Sequence, residues 1–461
     1  MRTSQLTFDA LTLAVLLGLA APAAAQVRPY RAVDLGSPFG QSPMAGVLAE
    51  AMSPSGDRVA GWSVWEPYVW DRGAGMRALQ MPVGDQLAGA MDVNDAGLAV
   101  GRSGRLLTGD RAMSWDLAGG VTPLHQAGWQ SSVAIRVNAR GQVLVLAWVP
   151  QGSVAPVRSF LGAIGGPFVD LAPGVRAAQA YDLNEAGQVC IDVDGTPMRF
   201  TPGIGLEAVG PHQPTCINEV GQMAGRDAAG TVVRRTDGVG WQSLGGGAAT
   251  LFREVGGIDA FGQVVATQYV RVGISPPTYA HYGHLISETL GVLKLADLVD
   301  ASQRVAVGTV VGISDTGVIA CSGSIGSDNR AMLLEPRYVS TRGSGCAGGS
   351  GRAPKAIAVG TPAPGGRIAL LAAGGTPGGG GAFLISAQPA AIPVLGCTLL
   401  VDPAAGLSIG IGTNLAGQGQ ITLRVPSGTA AGALHLQFVS FDAGAPNGLF
   451  ALSNAVRIDL Q

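Results

Sequence analysis

Charged side chains are scarce in this sequence: Asp, Glu, Lys and Arg make up 13% of the 461 residues, where about 25% is ordinary for a soluble domain. The basic residues are scattered and the formal net charge is −2, so the electrostatic footprint of a nucleic-acid binder is missing. Beyond the first 25 residues no apolar run approaches the roughly 20 that a membrane-crossing helix needs. No Cys-x-x-Cys or regular Cys/His spacing occurs, which argues against structural zinc. The G-x-S-x-G elbow, a phosphate-binding glycine loop and H-E-x-x-H are also missing, so neither a cofactor nor a metal is implied.

Glycine (71) and proline (28) are abundant. Both penalise helix interiors, by about 1 and 3 kcal/mol per position. At 47% hydrophobic the chain is too apolar for wholesale disorder. A turn-rich all-β protein remains.

Self-similarity is the strongest signal. The phrase Asp92-Val93-Asn94-Asp95-Ala96-Gly97-Leu98 returns as Arg136-Val137-Asn138-Ala139-Arg140-Gly141-Gln142-Val143 and as Asp182-Leu183-Asn184-Glu185-Ala186-Gly187-Gln188-Val189, then as Cys216-Ile217-Asn218-Glu219-Val220-Gly221-Gln222. Ser53, Asp259 and Ser314 hold the Asn position in three weaker copies, followed by Gly56, Gly262 and Gly317. The seven copies are spaced by 41, 44, 46, 34, 41 and 55 residues, a period of repeat architectures. Each reads as a hairpin: an apolar residue, an Asx or Ser that bonds its own backbone, a Gly free to take positive φ, then alternating apolar positions. A third strand ends in Trp70, Trp115, Phe200 or Leu334, and a fourth follows, such as Val121-Thr122-Pro123-Leu124 or Phe168-Val169-Asp170-Leu171. Four short strands per repeat make a propeller blade. The seventh copy lacks its fourth strand, and Tyr30-Arg31-Ala32-Val33-Asp34-Leu35-Gly36 supplies a matching one, which would close the ring without an open edge. The expected fold is a seven-bladed β-propeller over residues 26–339, with an open solenoid as rival.

These residues resemble the HAF-type bacterial extracellular repeats, in which Asx-x-x-Gly-Gln-Val precedes a small-aromatic-aliphatic-Trp strand and an Asp-Leu-Gly segment. This chain places Arg111, Arg158 and Arg330 where the family's eponymous histidine stands. The resemblance implies a secreted propeller and brings no catalytic residues.

Leu11 to Ala21 form an apolar stretch after Arg2, and Ala23-Ala24-Ala25-Gln26 fits cleavage after Ala25, the pattern of a secretory signal over residues 1–25. In an oxidising space cysteines can pair. Cys346 with Cys397 is the expected disulfide, and Cys190 with Cys216 a weaker guess. After a linker at 340–350 the repeat gives way to short strand-like runs over 351–461, read as a small β-sandwich. Gly345-Cys346, Gly396-Cys397, Val425-Pro426 and Ser453-Asn454-Ala455 resemble a C-terminal module of secreted bacterial proteins, which implies a binding, sorting or attachment role.

The stretch Tyr269 to Tyr282 reads as an enlarged, aromatic-rich loop, offering Tyr279, His281, Tyr282 and His284 as ligand-binding candidates; a plain surface insertion is the competing reading. Trp62 and Trp65 flank a turn and can stack on a ligand, whereas Trp70 belongs to the repeat's core. Asp192-Val193-Asp194-Gly195 reads as a tight turn ahead of a calcium loop. Asp95, Glu185 and Glu219 obey the repeat, which favours a structural role for them. The whole describes a secreted recognition or structural protein, with carbohydrate or another extracellular protein as partner. The alternative is a polysaccharide hydrolase or lyase with acidic or His residues at the channel mouth.

Overall fold

The computed structural model describes residues 28–37, 46–64, 66–105, 109–152, 154–246, 251–273 and 278–461. Ala25, Trp65 and the Pro276-Pro277 pair lie outside them. Among the described residues there is no α-helix, and the chain is all-β, a β-propeller followed in sequence by a second β unit.

Seven four-stranded antiparallel sheets follow one another along the first unit, Tyr30–Glu335. We number them I to VII: residues 47–78, 87–123, 131–170, 178–208, 213–245, 252–294 and 305–336. In each, the first strand turns back at the Asx or Ser of the repeat. Asn184 Oδ1 accepts from the N–H groups of Ala186 (3.1 Å) and Gln188 (2.9 Å), and Gly187 takes φ +79° to close the turn.

First strands of successive sheets touch one another in order, and the first strand of sheet VII returns to that of sheet I, so the sheets form a closed ring with first strands innermost. Apolar faces meet between neighbours. Ala60 and Val69 of sheet I pack with Ala88, Ala90 and Trp115 of sheet II, and Val47, Tyr68 and Trp70 of sheet I pack with Ala320 and Leu333 of sheet VII. A fully buried side chain of this kind contributes about 1.5–3 kcal/mol.

Sheet VII takes its fourth strand from the other end of the chain, Tyr30–Asp34. Leu35 N donates to Ala331 O just as Leu124 N donates to Ala112 O and Leu171 N to Ser159 O. Arg330 reaches Asp34 as Arg158 reaches Asp170, whereas Arg111 at the same position pairs with Asp85. Arg31 (2.6 Å) and Arg72 both pair with the buried Glu335. The free edge of the closing strand is covered: Gln303 Oε1 accepts from Ala32 N (3.0 Å) and Gln303 Nε2 donates to Ala32 O (2.9 Å).

The second unit holds a five-stranded sheet and a three-stranded one. Phe383, Leu436, Phe438, Val456 and Ile458 of the larger sheet share one apolar cluster with Ala358, Ile368 and Leu370 of the smaller. Cys346 and Cys397 form the expected disulfide, 51 residues apart in sequence. Cys190 and Cys216 do not pair: they are buried in adjacent sheets, with Cys190 Sγ toward Asp182 O (3.9 Å) and Cys216 Sγ toward Val255 O (3.3 Å).

Candidate functional site

The two rims of the ring differ. At the rim where first strands turn into second strands, side chains of the repeat bind the sheets into a belt. Asn94, Asn138, Asn184 and Asn218 each donate Nδ2 to the carbonyl of the next sheet's turn residue, at 3.0, 3.2, 3.0 and 2.8 Å. Acidic residues one position on latch backward: Asp95 accepts from Ser55 N (3.1 Å), Glu185 from Ala139 N (2.9 Å), Glu219 from Glu185 N (3.1 Å) and Asp315 from Ala260 N (2.8 Å). Their periodicity is that of a structural device.

The inside of the ring breaks the repeat. Each first strand carries a register shift shortly before its turn, leaving one residue unpaired: Glu50, Met91, Ile135, Tyr181, Thr215, Gly256 and Val311. All seven are half-buried, as inner-surface residues would be. Just beyond the bulge stand Ala51, Asp92, Arg136, Asp182, Cys216, Gly257 and Gly312, so charge is confined to three adjacent sheets. Arg136 Nε donates to Asp182 Oδ1 (2.7 Å), Asp92 accepts from Val137 N (2.8 Å) and Asp182 from Ile217 N (2.8 Å). Burial pushes Asp92 up to about 7, against the pull of Arg136 and Val137 N–H. Every polar group of this cluster has a partner, so it reads as a structural brace.

Toward the opposite rim the groups are less committed. Glu50 Oε1 accepts from Trp62 Nε1 (2.7 Å), and Trp62 packs on Gly89 of the next sheet. Burial raises the Glu50 carboxyl above its ordinary range; Trp62, Arg102 and Arg136 oppose this, and the charge of Glu254 adds to it. Arg102 and Arg136 are already ion-paired with Asp110 and Asp182. In sheet VI Tyr269 donates its hydroxyl to the exposed Glu254. The Tyr269 ring stacks on His281 at 4.1 Å and 8° and approaches Tyr279 at 6.4 Å, and His281 Nδ1 lies 3.3 Å from Thr309 Oγ1 of sheet VII.

The stretch Tyr269 to Tyr282 is therefore mostly hairpin, with Val264–Arg271 pairing Tyr279–Ser287. Part of the 55-residue spacing is spent elsewhere, on the 3-10 segments Leu295–Leu298 and Ala301–Gln303, the second of which covers the closing strand. Tyr279 and His281 are exposed. Tyr282 is half-buried beneath Lys294 Nζ at 4.1 Å. His284 is buried against Phe252, with Nδ1 near Tyr282 O (3.0 Å), and burial lowers its pKa. The strand's alternation thus sends His281 and His284 to opposite faces. Asp192 and Asp194 serve a hairpin turn: Gly195 N donates to Asp192 (2.7 Å) and Ala177 N to Asp194 (2.8 Å). Among the described residues no three His, Cys, Asp or Glu gather as a metal site. Glu50, Glu254 and Tyr269 were missed as site residues, although alignment of the seven copies marks the first two, because they occupy positions filled elsewhere by uncharged residues.

No protein-family model matches the sequence and no curated protein does. Solved structures show distant likeness. The structure described as YCF48 bound to D1 peptide is 10% identical, with a TM-score of 0.42 over 68% of this chain and 98% of its own. Virginiamycin B lyase from Staphylococcus aureus is 8% identical, with a TM-score of 0.44 over 66% and 98%. A puromycin hydrolase is 14% identical, with a TM-score of 0.40 over 76% and 62%.

Proposed function

We infer that this chain is an exported, non-enzymatic recognition protein of the HAF-like repeat type that holds its ligand at the second-to-third-strand rim and the adjoining mouth of the ring. The observation that carries this reading is the asymmetry of the rims. One is consumed by a repeat-wide hydrogen-bond belt, whereas the other displays Glu254, Tyr269, Tyr279 and His281, with Glu50 and Trp62 set further in. Rigid aromatic faces beside carboxylates provide stacking area and oriented acceptors at low entropic cost, which suits sugar rings or peptide side chains alike. Export is supported by the signal-like leader and by the disulfide, a bond of oxidising compartments. Among the described residues no helix is long and apolar enough to cross a membrane.

One observation favours catalysis as a second reading: Glu50 is a half-buried carboxyl with a raised pKa within range of the charge of Glu254, as an acid and base would be in polysaccharide cleavage. Of the five histidines only His281 lies near them, through its stack on Tyr269; His125 bonds Ser132 (2.8 Å), His212 packs on Trp241, His284 packs on Phe252 and His435 lies in the second unit.

Probing the protein from Gln26 onward on glycan and peptide arrays, with release of new chain ends assayed on each hit, separates the two. Binding without release, weakened about tenfold or more by Tyr269→Ala or Tyr279→Ala, is the expected result. Release abolished by Glu50→Gln or Glu254→Gln would overturn it in favour of the hydrolase.

A further inference from the structure

Asparagine gives way to another residue in sheets I, VI and VII, and among these only sheet VI replaces it with a carboxylate. In sheets III, IV and V the turn asparagine also donates to a glutamine four residues on: Asn138 to Gln142 (2.8 Å), Asn184 to Gln188 (2.9 Å) and Asn218 to Gln222 (3.0 Å). The glutamine amide in turn donates to a threonine hydroxyl, Gln188 to Thr201 (3.4 Å) and Gln222 to Thr236 (2.9 Å). Sheet VI keeps this glutamine as Gln263, and Ser287 stands at the register position of the threonines. Only the asparagine is replaced, by Asp259.

An ionised carboxylate accepts hydrogen bonds and donates none. Asp259 and Gln263 are each 2% exposed. Asp259 Oδ1 accepts from Phe261 N (3.0 Å) and Gln263 N (2.8 Å), and Oδ2 lies 2.8 Å from Gln263 Nε2. In that orientation Gln263 Oε1 is buried without a partner. The groups around Asp259 give it no countercharge. Asp315, from the turn of sheet VII, repels it, and the Tyr30 phenol of the closing strand is buried and neutral. Arg234 of sheet V is engaged with Gly262 O (2.9 Å) and Glu288 (2.8 Å). Burial, then Asp315, push the Asp259 carboxyl up to about 8, against hydrogen bonds from Gln263 and Phe261.

We propose that Asp259 is a protonated acid in the native ring and that its proton takes the place of the asparagine amide in the bond to Gln263, holding the turn of sheet VI that borders sheet VII. A half-turn of the Gln263 amide makes Oε1 the acceptor of that proton and sends Nε2 toward Ser287, as Gln188 and Gln222 reach their threonines. Ionisation removes the donor and sets two carboxylates, Asp259 and Asp315, on one seam.

The sign is fixed by linkage: the folded state holds a proton that the unfolded chain has released, so this contribution is full below about pH 4 and is lost as pH rises through about 8. Infrared spectra titrated from about pH 6 to about pH 9 are expected to show a protonated-carboxyl C=O band that is lost near pH 8, is missing from Asp259→Asn and is retained by Asp92→Asn, because Asp92 titrates lower. The melting midpoint of the wild type is expected to fall by about 5 °C relative to Asp259→Asn over the same range. Absence of the band, or parallel pH profiles for wild type and Asp259→Asn, would overturn the proposal; neither measurement needs a ligand.

Discussion

At the scale of single residues, Asn184 shows why the repeat keeps an amide at this position. Its oxygen holds two N–H groups of its own turn, and its nitrogen serves both Gln188 and the carbonyl of Asn218 in the next sheet. At about 0.5–1.5 kcal/mol net for each bond, Asn184→Ala should cost about 2–4 kcal/mol in urea unfolding. Asn184→Ser should cost less, because Ser314 Oγ still accepts from Thr316 N (3.3 Å) and Val318 N (3.1 Å) and forgoes only the cross-sheet donor. The turns were legible in the sequence because Asx bonding and positive φ act within five residues. Glu50 was not, since a bulge leaves it unpaired, and a bulge is a property of pairing that short-range pattern does not carry. The Cys190–Cys216 guess failed for a related reason: proximity in sequence did not turn the two thiols toward each other.

At the scale of elements, the backbones of sheets VI and VII come close at Gly256. A Cβ at Gly256 would lie 2.1 Å from Val310 O, a contact with backbone that cannot yield cheaply. Gly256→Ala should therefore lower stability by about 3 kcal/mol or more, with the loss read as a lower urea midpoint. In the second unit, Cys346→Ser is expected to lower the melting transition of residues 336–461 while leaving that of the ring in place. The 51-residue loop closed by the disulfide is worth about 4 kcal/mol on the chain-entropy model. The enlarged sixth repeat could be counted from its spacing, but a count does not say where the surplus goes. Some of it lengthens a hairpin that displays Tyr279 and His281, and some becomes the segment that covers the closing strand.

For the whole molecule, the ring is held shut by a strand and a charge cluster. Burial would raise the Glu335 carboxyl, yet Arg72 and Arg31 hold it below the usual range, so its contribution is present near neutrality and is lost as pH falls through its folded pKa. Glu335→Gln should flatten the acid limb of the stability profile and leave the alkaline limb, assigned to Asp259, in place. Deleting residues 26–37 should expose sheets I and VII to limited proteolysis well before the other five. The order of synthesis gives the closing strand one more consequence. Tyr30–Asp34 is made first, but its partner Asp328–Pro336 leaves the ribosome about 300 residues later, so nascent chains carry an unmatched end for most of their synthesis. Such long-range pairing is slow, so the six sheets built from consecutive strands can form ahead of it and closure of the ring comes last.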